Sequence, residues 1–507
     1  MFRLRRSINC DHNATTPVSL GVRKAMVKEL AGSQANASTP YREGRKAAFL
    51  VSQARLALAK ALTAEPESLI FTSGATEANN CLRTIAKLLP SDRRTIIYNP
   101  MEHPSVLEPL KLLGSEGFTL IEAKPDCLGR IEADHLRELW TVQVSLLVMM
   151  AANNETGTFY DLKAIVRLAH ERGALVFSDM VQALGKTRVD LGALEVDYAS
   201  FSAHKIYGPK GIGVLYIRPG APFAPLIVGG SQESGLRAGT ECLHNLAGFG
   251  QACREIPGLL EKIPDLRRRK EHFIDQIKAE LPTVRINTPS GEESQPGTVS
   301  LTLAGFENSH LLGQLDYHGL EVAAGSACRT GANEPSHVLL AIGLSPEEAR
   351  STLRVSFGHN LTDGQLKYVI SIFKMILSGR ESGAITVVRP GELTEELVFS
   401  KNISIIHIKR YPKFKGPSPL PTSRVIALGD KVAWEALKPS GPLLLTCDVG
   451  YDAPIMAWSL KRRGFKELSF LAAGLWGLKI AQPDLWTRLR SADNYALIKA
   501  RDHIDAP

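Results

Sequence analysis

A regular alternation of apolar and amphipathic segments between residues 50 and 260 constrains the fold most narrowly. The short apolar segments are residues 68–72, 95–98, 144–150, 174–177, 198–201 and 213–217. Amphipathic runs of helical periodicity separate them, so this part of the chain predicts a mostly parallel α/β sheet with helices on both faces. In such sheets, functional groups gather at the carboxyl ends of the strands.

Length and composition indicate a folded protein with more than one domain. The chain has 507 residues, of which 44% are hydrophobic and 22% are charged, as in ordinary globular proteins. Its longest strongly apolar stretch, 144–152, is far shorter than the roughly 20 residues of a membrane helix, so we expect no membrane association. The basic N-terminus has no apolar core and no cleavage site, which favours a cytoplasmic location over secretion.

The cysteines are scattered and include no C-x-x-C pair, which argues against a disulfide framework and against a zinc site. They are Cys10, Cys81, Cys127, Cys242, Cys253, Cys328 and Cys447. We therefore expect reduced thiols and no metal, and a single cysteine among them can be chemically active.

The composition changes near residue 380. Residues 378–383 form a polar, glycine-containing stretch that is typical of a connection between domains. Beyond it, residues 385–507 carry 18 Lys and Arg against 12 Asp and Glu, which is most of the net charge of +8, together with four of the five tryptophans. We expect one domain over residues 1–380 and another over residues 381–507.

Polar residues follow two of the predicted strands. The turn at 72–80 opens a helix and could hold a phosphate with its backbone amides, although an ordinary helix cap would look the same. Asp179 follows the strand at 174–177, where a carboxylate either caps a helix or holds a cationic ring nitrogen.

A lysine marks the end of the strand at 198–201. Ser202, His204 and Lys205 come directly after this strand, and a glycine-containing turn at 208–211 follows. A lysine held beside phosphate donors is what covalent attachment of pyridoxal phosphate requires. The alternative is a surface lysine on a loop.

Residues 1–380 resemble the cysteine desulfurases of the class V aminotransferase family. The resemblance rests on blocks that follow one another in the family's order: Asp11-His-Asn-Ala-Thr-Thr-Pro17, Phe71-Thr-Ser-Gly-Ala-Thr-Glu-Ala-Asn-Asn80, Glu102-His103, Asn153-Asn-Glu-Thr-Gly157, Ser178-Asp-Met-Val-Gln-Ala-Leu-Gly-Lys186, Ser202-Ala-His-Lys205, Arg237-Ala-Gly-Thr-Glu241, Gly325-Ser-Ala-Cys328 and Leu353-Arg-Val-Ser-Phe-Gly358. It implies a pyridoxal phosphate (PLP)-dependent transferase of fold type I. The large domain would span about 20–260, and the small α/β domain would combine the N-terminal segment with about 261–380.

The resemblance also implies an activity. L-cysteine would be converted to L-alanine, and its sulfur would pass to a protein cysteine as a persulfide and then to a sulfur-acceptor protein. The implied cofactor is pyridoxal 5'-phosphate and the implied assembly is a homodimer. The final acceptor stays open between an iron–sulfur scaffold, a thiolated tRNA and cofactor biosynthesis. Selenocysteine lyase or another class V PLP lyase is the alternative reaction.

Cofactor contacts follow from the same resemblance. Lys205 would bind the cofactor covalently and move the Cα proton, Asp179 would pair with the ring nitrogen, and Gln182 would bind the phenolate oxygen. Asn154 would hold that oxygen or the substrate carboxylate. The implied phosphate ligands are Ala75, Thr76, Ser202, His204 and Thr240, the last of which would reach the phosphate in the partner subunit.

Three further residues would act on the substrate. His103 would stack over the ring and exchange protons, and Arg354 would bind the substrate carboxylate. The alternatives for these two are a capped core histidine and a surface ion pair. Cys328 would attack the substrate sulfur, and its small, polar neighbours favour an exposed loop over a buried structural cysteine.

Residues 381–507 resemble the rhodanese-like domain, an α/β unit, with predicted strands at 404–408, 443–446 and 468–471 and a helix at 453–463. Cys447 lies between a strand and a helix, where the helix dipole would lower the thiol pKa. Asp452 stands where that family usually has arginine, which argues against an anionic sulfur donor such as thiosulfate. Cys447 either accepts the persulfide from Cys328 or belongs to a domain that only binds a partner.

The basic surplus raises a further alternative, which is a C-terminal module that binds tRNA or an acidic acceptor protein. The basic runs 267–270 and 461–463 are its strongest features, and they equally fit solvated helix faces. We favour solvated faces for both runs.

Overall fold

The computed structural model describes residues 7–32, 35–306, 308–325, 335–378, 385–400, 402–409, 420, 423–439, 441–448, 450, 452–472 and 474–489. Within these ranges the strands assemble into four β-sheets with helices packed around them. Among the same residues, no helix is both long and apolar enough to cross a membrane.

Residues up to 378 form three of these sheets. The strands are β1 (Ile8–Asn9), β2 (Leu69–Thr72), β3 (Thr95–Tyr98), β4 (Thr119–Glu122), β5 (Val144–Val148), β6 (Leu175–Asp179), β7 (Tyr198–Ser202), β8 (Gly213–Ile217), β9 (Arg285–Ile286), β10 (Thr298–Thr302), β11 (Leu320–Glu321) and β12 (Thr352–Ser356). The helices are α1 (Leu20–Leu30), α2 (Arg42–Leu62), α3 (Ala75–Asn80), α4 (Leu82–Ala86), α5 (Pro104–Ser115), α6 (Ala133–Leu139), α7 (Leu162–Glu171), α8 (Leu191–Leu194), α9 (Leu243–Leu260), α10 (Ile263–Glu280), α11 (Asn308–Tyr317), α12 (His337–Ala341), α13 (Pro346–Arg350) and α14 (Asp363–Leu377).

The largest sheet has the strand order β2-β8-β7-β6-β5-β3-β4. β8 runs antiparallel to both of its neighbours, and the remaining pairs are parallel, so the predicted mostly parallel sheet is confirmed. Every residue of β5 is buried, which explains the continuous apolar run there. β4 was not predicted, because its residues are exposed or only half-buried and form no such run.

β8 passes very close to the turn that follows β2. A Cβ atom at Gly213 would lie 2.7 Å from the carbonyl carbon of Gly74, so only glycine permits this approach. Because Gly213 pairs with Ser202, the approach brings the turn after β2 next to the end of β7.

Two smaller sheets connect the N-terminal segment to residues beyond 280. β1 pairs with β11 in parallel, and β10 lies between β9 and β12 in an antiparallel sheet. After β1, a bridge between Asp11 and Ser356 leads the chain along β12. This path explains how residues near the N-terminus can lie beside strands more than 300 positions later.

The fourth sheet lies wholly beyond residue 385. Its strands are β13 (Thr386–Val388), β14 (Ser404–Lys409), β15 (Arg424–Ala427), β16 (Leu443–Cys447) and β17 (Leu468–Leu471), and its helices are α15 (Glu395–Phe399), α16 (Lys431–Ala436), α17 (Asp452–Lys461), α18 (Gly474–Ala481) and α19 (Pro483–Leu489). All strand pairs are parallel, in the order β13-β17-β16-β14-β15. β13 and β15 were not predicted, because both are short and partly exposed.

Helix α17 of this C-terminal unit packs against α11. The ring centroids of Tyr317 and Trp458 are 5.1 Å apart, and the Arg462 guanidinium lies 4.4 Å from the Tyr317 ring centroid. Gly313 marks the closest approach, since a Cβ atom there would be 2.9 Å from the Trp458 side chain and 3.1 Å from Pro454. The C-terminal unit is therefore docked on the preceding part of the chain.

Several side chains of the basic runs 267–270 and 461–463 make contacts within the protein. Lys270 is 1% exposed and donates to Ser294 Oγ at 2.8 Å. The Lys461 amine lies 4.2 Å from the Trp458 ring centroid, and Arg463 donates to the carbonyl oxygens of Glu435 and Leu437. The interpretation as a solvated face is wrong for Lys270, whereas Arg268 and Arg462 are exposed and agree with it.

The contact at Gly313 generates a test of the docking. Gly313→Val should destabilise the interface by about 1–3 kcal/mol, because the added side chain must displace Trp458 or the backbone at Pro454. Limited proteolysis should then cut between residues 378 and 400 faster than in the wild type. Gly364→Val is the control, since no atom lies within 4 Å of a Cβ built there. Equal cleavage rates in all three proteins would contradict the docked arrangement.

Candidate active site

A cavity of about 560 Å³ lies at the carboxyl ends of β6 and β7. It gathers most of the site residues that were predicted from the sequence: Ala75, Thr76, His103, Asn154, Asp179, Gln182, Ser202, His204, Lys205 and Arg354. Asn13, Ser105 and Lys210 also line it, although no role was predicted for them. Residues that are far apart in sequence therefore form one site.

Lys205 lies in the short helical turn Ala203–Lys205 that directly follows β7. Its Nζ donates to the carbonyl oxygens of Asn13 at 2.6 Å and Ala14 at 2.8 Å. Both oxygens belong to the N-terminal segment, which thus holds the amine at the cavity. Lys205 is not the surface lysine that was the alternative.

Asp179 is the last residue of β6 and is 7% exposed. Its Oδ2 accepts a hydrogen bond from Asn79 Nδ2 at 2.9 Å, and its Oδ1 accepts one from the Val181 backbone at 3.0 Å. These bonds fix the carboxylate in the cavity wall. A buried, oriented carboxylate fits a cationic ring nitrogen.

The cavity wall also combines hydroxyl groups with cations. Thr76 and Ser202 supply the hydroxyls, and the Nδ1 of His204 lies 3.1 Å from Thr15 Oγ1. Burial, together with the ammonium groups of Lys205 and Lys210, lowers the pKa of His204 to about 4, so its imidazole is neutral. Lys210 was overlooked, although its position in the turn after Lys205 was a usable signal.

His103 caps a helix, as the alternative interpretation predicted, and it also lines the cavity. Its Nδ1 accepts a hydrogen bond from the Ser105 backbone at 3.1 Å at the start of α5. Burial lowers the pKa of His103, and nearby Asp179 opposes that effect only in part. The ring is therefore neutral near pH 7, and because Nδ1 accepts, the proton sits on Nε2.

Arg354 lies in β12 and is 3% exposed, so it does not form a surface ion pair. One terminal nitrogen lies 2.6 Å from Asp11 Oδ1, and the other donates to the Asn154 carbonyl oxygen at 3.1 Å. Its Nε has no hydrogen-bond partner among the described residues. The guanidinium is thus held rigidly and keeps one buried donor for a ligand.

Two of the residues predicted for the site in residues 1–380 do not appear in this cavity. Thr240 is exposed and lies outside the cavity wall of its own chain. Cys328 lies outside the described residues. The residues that flank its segment meet at Glu155, because Ser336 Oγ donates to Glu155 Oε2 at 2.6 Å and a Cβ atom at Gly325 would be 3.3 Å from the same oxygen. Since Glu155 adjoins Asn154, both ends of the segment lie beside the cavity wall.

Cys447 is the last residue of β16 and is fully buried. The backbone N–H of Gly450 donates to its sulfur at 3.1 Å, and those of Asp452 and Ala453 also bond to it. Burial, assisted by the Asp452 charge, nevertheless raises the pKa of the Cys447 thiol. The predicted lowering is wrong, because the loss of solvation outweighs the amides at the helix start.

The carboxylate of Asp448 is paired. It lies 3.3 Å from Nε2 of His407, and hydrogen bonding to that imidazole lowers the pKa of Asp448. The argument that two carboxylates repel an anion at Cys447 therefore rests mainly on Asp452, which is 5% exposed.

Residues 8–369 match the family model described as "Aminotransferase class-V". The chain belongs to this family. It is similar to "Cysteine desulfurase IscS" of Dictyoglomus turgidum, with 35% identity over 379 residues, which are 74% of this chain and 95% of the relative. The C-terminal unit lies beyond the residues matched by the family model.

Solved structures of class V relatives agree with the fold. A "NifS-like protein" is 34% identical with a TM-score of 0.69, and the match covers 74% of this chain and all of the other. A structure described as "SspA in complex with cysteine" is 33% identical with a TM-score of 0.59, over 69% of this chain and 98% of the other. The chain is a PLP-dependent enzyme of the cysteine desulfurase group, as the sequence predicted.

The cavity fits pyridoxal phosphate. Asp179 suits the ring nitrogen, the hydroxyls and cations near Ser202 and Lys210 suit the phosphate, and the amine of Lys205 suits the aldehyde.

This fit generates a test at Lys205. Lys205→Ala should fold but carry no covalently attached cofactor, because the amine held by the two carbonyl oxygens is gone. After borohydride reduction, intact-mass spectrometry should show the added cofactor mass on the wild type and none on the variant. Lys210→Ala is the matched control: it should keep the adduct and bind the cofactor about tenfold more weakly, having lost one charged hydrogen-bond donor. An adduct on Lys205→Ala would refute the assignment.

Proposed function

We propose that this enzyme converts L-cysteine to L-alanine and transfers the sulfur to its own Cys328. The observation that carries the proposal is the single cavity that joins an amine at Lys205, a buried carboxylate at Asp179 and a buried guanidinium at Arg354. The relatives named cysteine desulfurase, and the relative in complex with cysteine, support cysteine over selenocysteine.

The cofactor contacts are assigned as follows. Bound pyridoxal phosphate supplies an electron sink that lets the Cα–H bond of an amino acid break. Asp179 binds its ring nitrogen, Gln182 its phenolate oxygen, and Lys205 its aldehyde carbon. Ala75, Thr76, Ser202 and His204 bind its phosphate, and Lys210 adds a cation beside them.

Substrate binding and proton movement use the remaining groups. Arg354, with a free Nε donor, and Asn154 bind the substrate carboxylate. Once the substrate amine has replaced it, the Lys205 amine takes the Cα proton, and the carbonyl oxygens of Asn13 and Ala14 hold that amine in reach. His103 holds an exchangeable proton at Nε2.

Cys328 takes the sulfur. Its thiolate attacks the substrate sulfur, and a new S–S bond forms as the Cβ–S bond breaks. The electron pair of the broken bond stays on Cβ, which is then protonated, so the products are a protein persulfide and alanine. The position of Gly325 and Ser336 beside Glu155 supports this role, because the segment that carries Cys328 begins and ends next to the cavity.

Replacement of Cys328 tests the reaction. Cys328→Ala should still bind L-cysteine, seen as a change in the visible absorbance of the cofactor, because Arg354 and Asp179 remain. Alanine formation should fall at least about a hundredfold, since the nucleophile for the sulfur is missing. Cys127→Ala, at an exposed free cysteine, is the control and should react normally. Normal alanine formation by Cys328→Ala would instead indicate a lyase.

We infer further that the enzyme works as a cytoplasmic homodimer. Thr240 is exposed and does not line its own cavity, which suits a residue that reaches the phosphate in the partner subunit.

We also propose that the C-terminal unit is rhodanese-like and that Cys447 accepts the persulfide from Cys328. Five parallel strands place Cys447 at the end of a central strand, and three backbone N–H groups surround its sulfur. Such N–H groups can stabilise a persulfide anion. Asp452 opposes an anionic donor, so the incoming sulfur is expected from a protein persulfide.

Two aspartates make the C-terminal proposal testable. The wild type should form almost no thiocyanate from thiosulfate and cyanide. Asp452→Asn should raise that rate about fivefold, since one nearby like charge costs on the order of 1 kcal/mol. Asp448→Asn should change it less, because His407 already pairs with Asp448. Cys447→Ser should leave alanine formation unchanged. Rapid thiosulfate turnover by the wild type, or equal effects of the two aspartates, would contradict the charge argument.

A further inference from the structure

The amine of Lys186 has three oxygen acceptors and, in the part of the chain that the structure describes, no carboxylate partner. It donates to three side-chain amide oxygens: Asn13 Oδ1 at 2.7 Å, Gln295 Oε1 at 3.0 Å, and Gln182 Oε1. Among the described residues, no carboxylate lies within ion-pair distance of it. Burial and the cations Lys205 and Arg354 lower the pKa of Lys186 well below its usual value. A lysine in such a position is costly, and the mechanism above assigns it no part.

The hydrogen bonds from Lys186 fix the orientation of the three side-chain amide groups. A lysine amine that donates all its hydrogens cannot accept a bond from an amide NH₂, so each neighbouring amide must turn its oxygen toward Lys186 and its NH₂ away. Asn13 accordingly donates through Nδ2 to the Asn154 carbonyl oxygen at 3.0 Å. Gln295 donates through Nε2 to the Asn153 carbonyl oxygen at 2.9 Å.

Gln182 is the member of this set that lines the cavity. Its oxygen is turned to Lys186, and one N–H of Nε2 donates to the Asn13 carbonyl oxygen at 3.0 Å. The second N–H is left for a ligand. In the opposite orientation, Gln182 would present an oxygen to the phenolate oxygen of the cofactor and repel it.

We propose that Lys186 is a positioning residue that keeps the Gln182 amide in the orientation that donates to the phenolate oxygen of bound pyridoxal phosphate. The proposal rests on the cofactor contacts proposed above. Lys186 acts through Gln182 and does not touch the cofactor itself. Lys186 also binds the side chain of Asn13. The backbone oxygen of Asn13 in turn accepts the hydrogen bond from Lys205.

The absorbance of the bound cofactor reports this role without any turnover. Lys186→Met keeps a long side chain and removes the donor. In this variant the phenolate oxygen has lost the donor that stabilises its negative charge. The proton that the phenolate oxygen shares with the imine nitrogen at Lys205 should therefore leave only at higher pH. The pH midpoint of the cofactor's visible absorbance change should rise by about one unit, and the cofactor should bind about tenfold more weakly.

A double variant separates positioning from stability. In the Gln182→Leu background, Lys186→Met should move the midpoint by less than half of its effect in the wild type, because the route through Gln182 is gone. Lys270→Met is the matched control: Lys270 is also buried, but it donates to Ser294 Oγ and the Gln295 backbone and not to Gln182. This control should lower the melting temperature and leave the midpoint unchanged.

The outcomes decide the proposal. An unchanged midpoint in folded Lys186→Met, or equal shifts in both backgrounds, would overturn it. If Lys186→Met does not fold, Lys186→Leu replaces it, with the same rise in the midpoint expected because leucine also removes the donor to Gln182. Alanine formation by the wild type, measured in parallel, shows separately whether the proposed reaction holds, because the absorbance titration is done without L-cysteine.

Discussion

A hydrogen-bond network around Asn13 holds the active site together. Its backbone oxygen accepts from Gln182 and Lys205, which follow strands β6 and β7 of the largest sheet. Its backbone N–H and side chain bond to Ser356 Oγ and Thr298 Oγ1 of the antiparallel sheet. One residue of the N-terminal segment thus joins the two parts of the chain between which the cavity lies. The position of the reactive amine depends on that junction.

The charges of the cavity suit an anionic cofactor and substrate. Lys205, Lys210 and Arg354 supply cations, whereas Asp179 is the carboxylate in the cavity wall. Burial keeps His103 and His204 neutral near pH 7, so they can donate and accept protons without adding to the positive charge. These cations suit the phosphate of the cofactor and the carboxylate of an amino acid, and Asp179 suits the ring nitrogen.

Much of the fold and site could be predicted because strands and strand ends leave local signals. Continuous apolar runs such as β5 identified the sheet, and the polar residues at the end of β6 and directly after β7 identified Asp179 and Lys205. The contacts of Asn13 with Lys205 and with Lys186 could not be predicted in this way, because they join residues more than 100 positions apart in the chain. The pKa of Cys447 was predicted in the wrong direction, because a sequence shows the helix start but not the depth of burial.

The central claim is that sulfur leaves L-cysteine and arrives on Cys328 of the same enzyme. It is tested most directly by adding L-cysteine to the holoenzyme, blocking persulfides by alkylation and locating them by peptide mass spectrometry. The account predicts a persulfide on Cys328 first and on Cys447 afterwards, and none on either residue in Cys328→Ala. A persulfide on Cys447 in Cys328→Ala, or alanine formed with no persulfide on Cys328, would contradict it.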